Sequence, residues 1–141
     1  MTIKEIQNEI IDEFSMFDDW MQRYEYIIEL GKSLPLIKEE YKKDENLIKG
    51  CQSKVWLQGE QNDDRIVFTA DSDAILTKGI IAILIRAFSN QKASDIINAD
   101  TEFIDEIGLE EHLSATRANG LVSMIKNIKM YALAFDAKNK N

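Results

Sequence analysis

The sequence predicts an α+β fold in which a small three-stranded antiparallel sheet packs against several helices. Apolar residues near both ends of the chain recur at three- and four-residue steps, as they do along the buried face of a helix. Between these ends, residues 46–69 are rich in β-branched and aromatic residues and are broken by short polar stretches, a pattern typical of strands and turns. The 141 residues fit one domain, 1–141, with no internal repeat or linker.

Two helices are expected first. Thr2 followed by Glu5 indicates a capping box at the start of an amphipathic helix. A second helix should begin after Asp19 and end at Gly31 through a left-handed glycine cap. Pro35 predicts a short helix through Tyr41, because proline is favourable at a first helical position. The charged stretch 38–45 should then be solvated.

The sheet is expected next. Residues 47–48 predict a short strand, a turn around Cys51 follows, and residues 55–57 predict a longer strand. A polar reversal at 61–64 leads into a returning strand at 66–69, so the last two strands should form a hairpin.

Helices are expected to complete the fold. Asp71 or Ser72 should cap a strongly apolar central helix that runs to Phe88. Two short helices and one long helix, roughly 117–135, should follow, because candidate N-cap residues precede them and Gly108 stands at a possible helix end. Those candidate caps are Ser94, Thr101 and either Ser114 or Thr116.

Charge and hydropathy limit the partners. The 25 acidic residues exceed the 17 basic ones, so the net charge is -8 and the surface should repel nucleic acid and anionic membranes. The longest strongly apolar stretch, 79–85, is far shorter than the roughly 20 residues of a membrane span. The first ten residues lack the basic flank and apolar run of a signal peptide, so we expect a cytoplasmic protein.

The inventory of reactive residues limits the chemistry. One cysteine, Cys51, and one histidine, His112, cannot form a disulfide, a four-ligand zinc site or an iron–sulfur cage from Cys and His alone, so we expect no metal site. The sequence contains no Gly-x-Ser-x-Gly elbow, Walker phosphate loop or Gly-x-Gly-x-x-Gly turn. These absences argue against hydrolases, kinases and dinucleotide-binding enzymes.

Cys51 is the candidate reactive residue. It precedes Gln52 at the bend between two predicted strands, where loop residues often carry function. Lys49 and Lys54 flank it, and a nearby cation favours the nucleophilic thiolate over the thiol. The alternative interpretation is a small buried hydrophobe beside two lysines that only keep a loop soluble.

Three further residues are candidates for supporting roles. Asp73, expected in the first turn of the central helix, is open to holding a cation or positioning the Cys51 loop. Arg117 stands near the start of the last helix, where the helix dipole disfavours a positive charge, so it suggests an acidic or anionic partner. His112 is more typical of a packing or capping residue than of a catalytic base.

The segment Gly50-Cys51-Gln52-Ser53-Lys54-Val55-Trp56 closely resembles the signature of the SufE family of sulfur acceptors. Four other blocks resemble the family's remaining motifs in the same order, so the resemblance spans nearly the whole chain. These blocks are 26–35, 71–74, 78–82 and 113–121. Ala115 departs from the family pattern, which has proline at this position. The backbone geometry at the start of the helix that carries Arg117 is therefore expected to differ from that of other members.

The resemblance implies a protein that accepts sulfane sulfur as a persulfide on Cys51 and thereby stimulates a SufS-type cysteine desulfurase. The sulfur would pass on to an iron–sulfur cluster scaffold of the SufBCD type. Pyridoxal phosphate would belong to the desulfurase, and this chain would bind no cofactor. The implied activity is that of a sulfurtransferase-like carrier, monomeric or homodimeric, and not of a self-sufficient enzyme.

The resemblance also implies a fold shared with IscU-type scaffolds and a cysteine loop that moves between a sheltered and an extended pose. Asp73 and Arg117 match family positions thought to matter for this loop or for docking, and we group Gln52, Lys49 and Lys54 with them. A persulfide survives longer in an apolar shelter, for which Trp56 and Ile80 are candidate walls. Both side chains are equally consistent with filling the core.

The sequence is also consistent with two alternative functions. One is a non-catalytic interaction module whose acidic surface regulates a partner enzyme. The other is a thiol redox sensor, against which the lack of a second, resolving cysteine in this sequence counts.

Overall fold

A computed structural model describes residues 1–140 and confirms the α+β fold. These residues form six α-helices and one three-stranded antiparallel sheet in the order β1-β2-β3. The helices are α1 (Ile3–Phe14), α2 (Trp20–Gly31), α3 (Ile75–Phe88), α4 (Ala93–Asn98), α5 (Glu102–Glu106) and α6 (Ala115–Asn139). The strands are β1 (Val55–Asn62), β2 (Arg65–Ser72) and β3 (Gln91–Lys92), and short 3-10 turns lie at Glu39–Tyr41, Asp44–Asn46 and Glu110–His112.

The predicted hairpin is confirmed, but the third strand is a different segment. β1 and β2 pair from Val55 opposite Ser72 to Asn62 opposite Arg65. The third strand is β3, which pairs with the start of β2. The strand expected at 47–48 is reduced to one isolated bridge between Leu47 and Trp56. A 3-10 turn ends immediately before it and Gly50 turns the chain shortly after it, so no room remains for a longer ladder.

Helix α3 is the central element, as predicted. Its isoleucine, leucine and phenylalanine side chains are mostly buried between the sheet, α1, α2 and α6. The last helix also follows its predicted stripe, because Leu121, Met124, Ile128 and Ala132 are buried, and it extends beyond the predicted end. The capping box at Thr2 and the cap at Asp19 form as expected.

Gly31 has a different role from the predicted left-handed cap. It is the last residue of α2, and the following Lys32 keeps a right-handed conformation (φ -68°). A Cβ atom on Gly31 would lie 3.0 Å from the backbone nitrogen of Gly79, and one on Gly79 would lie 2.1 Å from the carbonyl oxygen of Ile27. The two glycines therefore allow the backbones of α2 and α3 to approach closely.

The helix expected from Pro35 is also absent. The carbonyl of Pro35 accepts from the Ala70 N–H, and the Ile37 N–H donates to the Ala70 carbonyl, each at 3.0 Å. The segment is thus extended beside β2, because β2 offers free backbone groups there, and only Glu39–Tyr41 forms a helical turn. The stretch 38–45 is largely exposed, as predicted.

The predicted caps of the later helices are only partly correct. Asp71 and Ser72 belong to β2, and α3 begins after Ala74 without a side-chain cap. Asp71 instead forms ion pairs with Lys42 at 2.7 Å and Lys78 at 3.4 Å. Burial raises the pKa of Asp71, but hydrogen bonds from Lys42 and the Ser72 backbone outweigh it and hold that pKa below its usual value.

Of the remaining candidates, Ser114 caps α6 and Thr101 precedes α5 without a side-chain bond. Ser94 lies inside α4, which follows Lys92 directly from β3, and Thr116 lies inside α6. Gly108 follows α5 with a positive φ of 75°, as a helix end predicts. Within residues 1–140, no helix combines the length and the apolar character that crossing a membrane requires.

Candidate functional site

The loop that carries Cys51 lies against the N-terminal part of α6. Gly50 adopts a positive φ of 95°, and a Cβ atom there would lie 2.6 Å from the Ser123 Oγ atom. A side chain at position 50 would be strained at this φ and would require the Ser123 hydroxyl to move. The glycine therefore allows the chain to turn so that the next residue faces α6.

Cys51 is half-buried on this helix and has a free thiol. Its Sγ–H group donates to the carbonyl oxygen of Gly120 across 3.6 Å. A Cβ atom on Gly120 would lie 3.3 Å from Sγ, closer than most side-chain contacts. A side chain at position 120 would therefore crowd the sulfur, which would have to shift by a few tenths of an ångström.

A small cavity adjoins the sulfur. Its volume is about 10 Å³, which is close to the space of one water molecule. Ile80 and Met124 supply apolar surface, and Gln52 and Arg117 contribute polar groups. The other lining residues are Cys51, Ser53, Thr77, Thr116 and Gly120. The cavity can accommodate about one additional atom beside Sγ.

Burial raises the pKa of the Cys51 thiol above its ordinary value. Burial is the cause of this shift, and neither Lys49 nor Lys54 lowers the pKa of the thiol in this structure. Both lysine side chains are exposed. A raised pKa favours the thiol over the nucleophilic thiolate.

Asp73 fastens the far end of the cysteine loop. Its carboxylate Oδ1 accepts from the Lys54 N–H at 3.0 Å, and its own N–H donates to the Lys54 carbonyl at 3.2 Å. Asp73 lies between β2 and α3 and not in the first helical turn, because α3 begins only at Ile75. This reciprocal pair connects the loop to the sheet three residues after Cys51.

Arg117 lies at the cavity with its side chain exposed. Its backbone N–H donates to the Ser114 hydroxyl, and its guanidinium group forms no ion pair within the described residues. Gln52 is exposed at the cavity, whereas Lys49 and Lys54 are not part of its lining.

The two candidate shelter residues lie in different places. Ile80 lines the cavity and is almost fully buried. Trp56 does not line it, because alternate residues of a strand point to opposite faces and Val55 and Leu57 are the ones that face the core. The Nζ atom of Lys42 lies 5.4 Å from the centroid of the Trp56 ring.

His112 serves in packing. Its ring stacks on Trp20 with centroids 3.7 Å apart, and its Nδ1 atom lies 3.0 Å from the Gly108 carbonyl oxygen. It is not a lining residue of the Cys51 cavity. In the described part of the chain, no three His, Cys, Asp or Glu side chains gather in a way that could hold a metal ion.

Sequence reasoning missed the residues of α6 that receive the loop. Gly120 and Ser123 lie within the first three turns of this helix, and each contacts the loop directly. A glycine inside a helical pattern costs about 1 kcal/mol relative to alanine, so its presence is a signal of close approach by another segment. The sequence did not reveal which segment approaches.

Comparisons with known proteins show the family of the chain. The family described as SufE, Fe-S metabolism associated domain, matches residues 8–132. An uncharacterized SufE-like protein of Rhizobium meliloti (strain 1021) is 45% identical over 130 residues, covering 89% of this chain and 93% of the relative. Another from Rhizobium etli is 44% identical over 127 residues, covering 86% of each chain.

A solved structure shares the fold. The solution structure of a hypothetical protein from Thermus thermophilus superposes with a TM-score of 0.76 and covers 92% of this chain and 94% of that chain. Its sequence identity is 13%, so the similarity concerns the fold alone.

Proposed function

The chain belongs to the SufE family, and from this membership we propose that Cys51 accepts sulfane sulfur from a SufS-type cysteine desulfurase. Family membership associates the chain with iron–sulfur metabolism. The finer proposal is that the sulfur then passes to a SufBCD-type cluster scaffold. The observation that carries it is a lone cysteine, on a loop, beside a cavity that has room for about one more atom.

The transfer step is a thiolate displacement. The Cys51 thiol loses its proton to solvent or to a partner base, and the thiolate attacks the outer sulfur of a cysteine persulfide on the desulfurase. A new sulfur–sulfur bond forms on Cys51 while the bond within the donor persulfide breaks. The inner sulfur of that persulfide, which belongs to the desulfurase cysteine, departs as a thiolate, so no external oxidant or reductant is required.

The geometry supports a division between a resting and a reacting pose. At rest, burial raises the pKa of Cys51 and places its sulfur against Gly120, which disfavours attack. Displacing the loop from α6 would expose the sulfur and lower the pKa toward that of a solvated thiol. Reaction would thus be coupled to docking, and the returning persulfide would find shelter beside Ile80 and Met124.

In this proposal, pyridoxal phosphate remains on the desulfurase, where it releases sulfur from L-cysteine. This chain contributes a nucleophile and a protected carrier. A free cysteine without a disulfide partner suits a reducing compartment, which supports a cytoplasmic location.

The experiment measures sulfide release by a matching desulfurase with L-cysteine and dithiothreitol, with and without this protein. Wild type should stimulate release, and Cys51→Ser should abolish the stimulation while its melting temperature stays close to that of wild type. Full stimulation by Cys51→Ser would instead favour a non-catalytic regulatory module.

Arg117 is tested in the same assay, because its exposed guanidinium at the cavity fits a docking role. Arg117→Ala should weaken stimulation severalfold at limiting protein concentration and change the melting temperature little. Parallel losses of stimulation and stability would mean that Arg117 is only structural.

A further inference from the structure

The two segments that meet at Cys51 contain no acidic residue, in a chain that has 25 of them. Residues 46–59 and 112–135 contain neither Asp nor Glu. They do carry Lys49, Lys54, Arg117 and Lys126, all exposed and in no ion pair within residues 1–140. The charged side chains of these two segments are therefore all basic, although the whole chain has a net charge of -8. Two acidic residues lie next to the segments: Asp73, which accepts from the Lys54 N–H, and Glu45.

A groove adjoins the cysteine loop on this surface. It lies between segment 45–49 and α6 and has a volume of about 390 Å³. Lys49 lines it from the loop and Lys126 from the helix, while Leu47 and Met130 add apolar surface. Ser123 also lines the groove and lies directly against Gly50, so the groove begins beside the residue that precedes Cys51.

We propose that this groove binds an acidic segment of the protein that donates sulfur to Cys51. Carboxylates of that segment would face Lys49 and Lys126, and an apolar side chain would contact Leu47 and Met130. This inference rests on the proposed function, because it assigns the groove to the sulfur donor.

Charge complementarity is the reason for choosing this occupant. Opposite charges across an interface accelerate encounter and fix the relative position of the partners, whereas like charges are repelled. Glu45 is the one acidic residue that lines the groove, so it would repel the acidic segment at that end and help to set its position. Met130 is 55% exposed, and methionine adapts its shape to a partner surface.

The test measures the affinity of a matching cysteine desulfurase for wild type, Lys49→Glu and Lys126→Glu by titration calorimetry at low and high salt. We expect each substitution to weaken binding about tenfold at low salt, because it replaces attraction with repulsion. Binding of wild type should also weaken as salt rises, and the double variant Lys49→Gln/Lys126→Gln should lose most of this salt dependence.

Lys138→Glu is the matched control. Lys138 lies in the last turn of the same helix, about 18 Å along the axis from Lys126 at about 1.5 Å per residue. Lys138→Glu changes the net charge by the same amount as Lys49→Glu or Lys126→Glu. If the position of the charge matters more than the total charge, the desulfurase affinity of Lys138→Glu should stay within about twofold of that of wild type. Melting temperatures close to wild type would show that all the variants fold.

A second measurement separates this proposal from the proposed function. The mass gain of one sulfur atom on Cys51 is followed with saturating desulfurase, where weakened variants should still be loaded. Loading of wild type together with unchanged affinity of Lys49→Glu and Lys126→Glu would overturn the groove proposal alone. If wild type neither binds nor gains sulfur, the proposed function fails and the groove assignment fails with it.

Discussion

The sulfur of Cys51 lies only 3.3 Å from the position that a Cβ atom on Gly120 would take, which is closer than an ordinary side-chain contact. The same sulfur donates its hydrogen bond to the Gly120 carbonyl. The position of the cysteine in this structure therefore depends on the absence of a side chain at position 120.

Gly120→Ala should displace Cys51 from this pose. The added methyl group crowds the Cys51 sulfur and disturbs its packing on α6. Alanine also has a better helix propensity than glycine, by about 1 kcal/mol, which offsets the lost packing. The melting temperature should therefore change little. The rate of Cys51 alkylation by iodoacetamide at about pH 7 should rise about tenfold, corresponding to about 1.4 kcal/mol in the opening equilibrium. Asn119→Ala, on an exposed neighbouring position, is the control; equal rates in both variants would contradict this account.

Asp73→Ala should loosen the same loop from its other end. The Lys54 N–H loses its carboxylate acceptor, which should cost about 1 kcal/mol of stability and increase alkylation of Cys51. Asp73→Asn retains an oxygen acceptor and should restore most of the slow alkylation. If wild type, Asp73→Ala and Asp73→Asn were alkylated at the same rate, Asp73 would not position the loop.

The reactivity of Cys51 should depend on pH in a specified direction. Burial raises the pKa of the folded thiol, so the alkylation rate of the free protein should reach its midpoint above the ordinary thiol value of 9.0. Because the folded protein holds the thiol proton more tightly than the unfolded chain, the thiol also contributes to the free energy of unfolding. This contribution is fully present below the pKa of the unfolded chain and is lost as the pH rises through the pKa of the folded protein. A midpoint below that of the urea-unfolded chain would contradict the sheltered pose.

Gly79→Ala should be strongly destabilising, although alanine normally favours a helix. Its Cβ atom would lie 2.1 Å from the Ile27 carbonyl oxygen, so α2 and α3 would have to separate. We expect a loss of about 3 kcal/mol or more, measured by urea unfolding. Ala134→Gly, at an exposed position of α6, is a control for propensity and should cost only about 1 kcal/mol.

The elements that follow from periodicity were predictable. The helices α3 and α6 and the β1–β2 hairpin are specified by local spacing of apolar residues. The reactive-residue candidate was identifiable because Cys51 is the single cysteine and lies beside a glycine in a turn.

Long-range contacts were not predictable from local patterns. The third strand, β3, pairs with Arg65 and Ile66 of β2, and the backbone of Pro35 bonds to that of Ala70. Both pairings depend on which distant segment offers free backbone hydrogen-bonding groups. The thiol's raised pKa likewise follows from burial on α6, whereas the sequence shows only the two flanking lysines. Trp56 was misassigned because strand alternation turns it away from the Cys51 cavity.

The most direct test of the central claim is the intact mass of the protein before and after incubation with a cysteine desulfurase and L-cysteine, without reductant. If Cys51 accepts sulfur, wild type should gain one sulfur atom that a thiol reductant removes, and Cys51→Ser should gain none. An unchanged wild-type mass with a competent desulfurase of the matching type, or an equal gain on Cys51→Ser, would contradict the assignment of Cys51 as the sulfur acceptor.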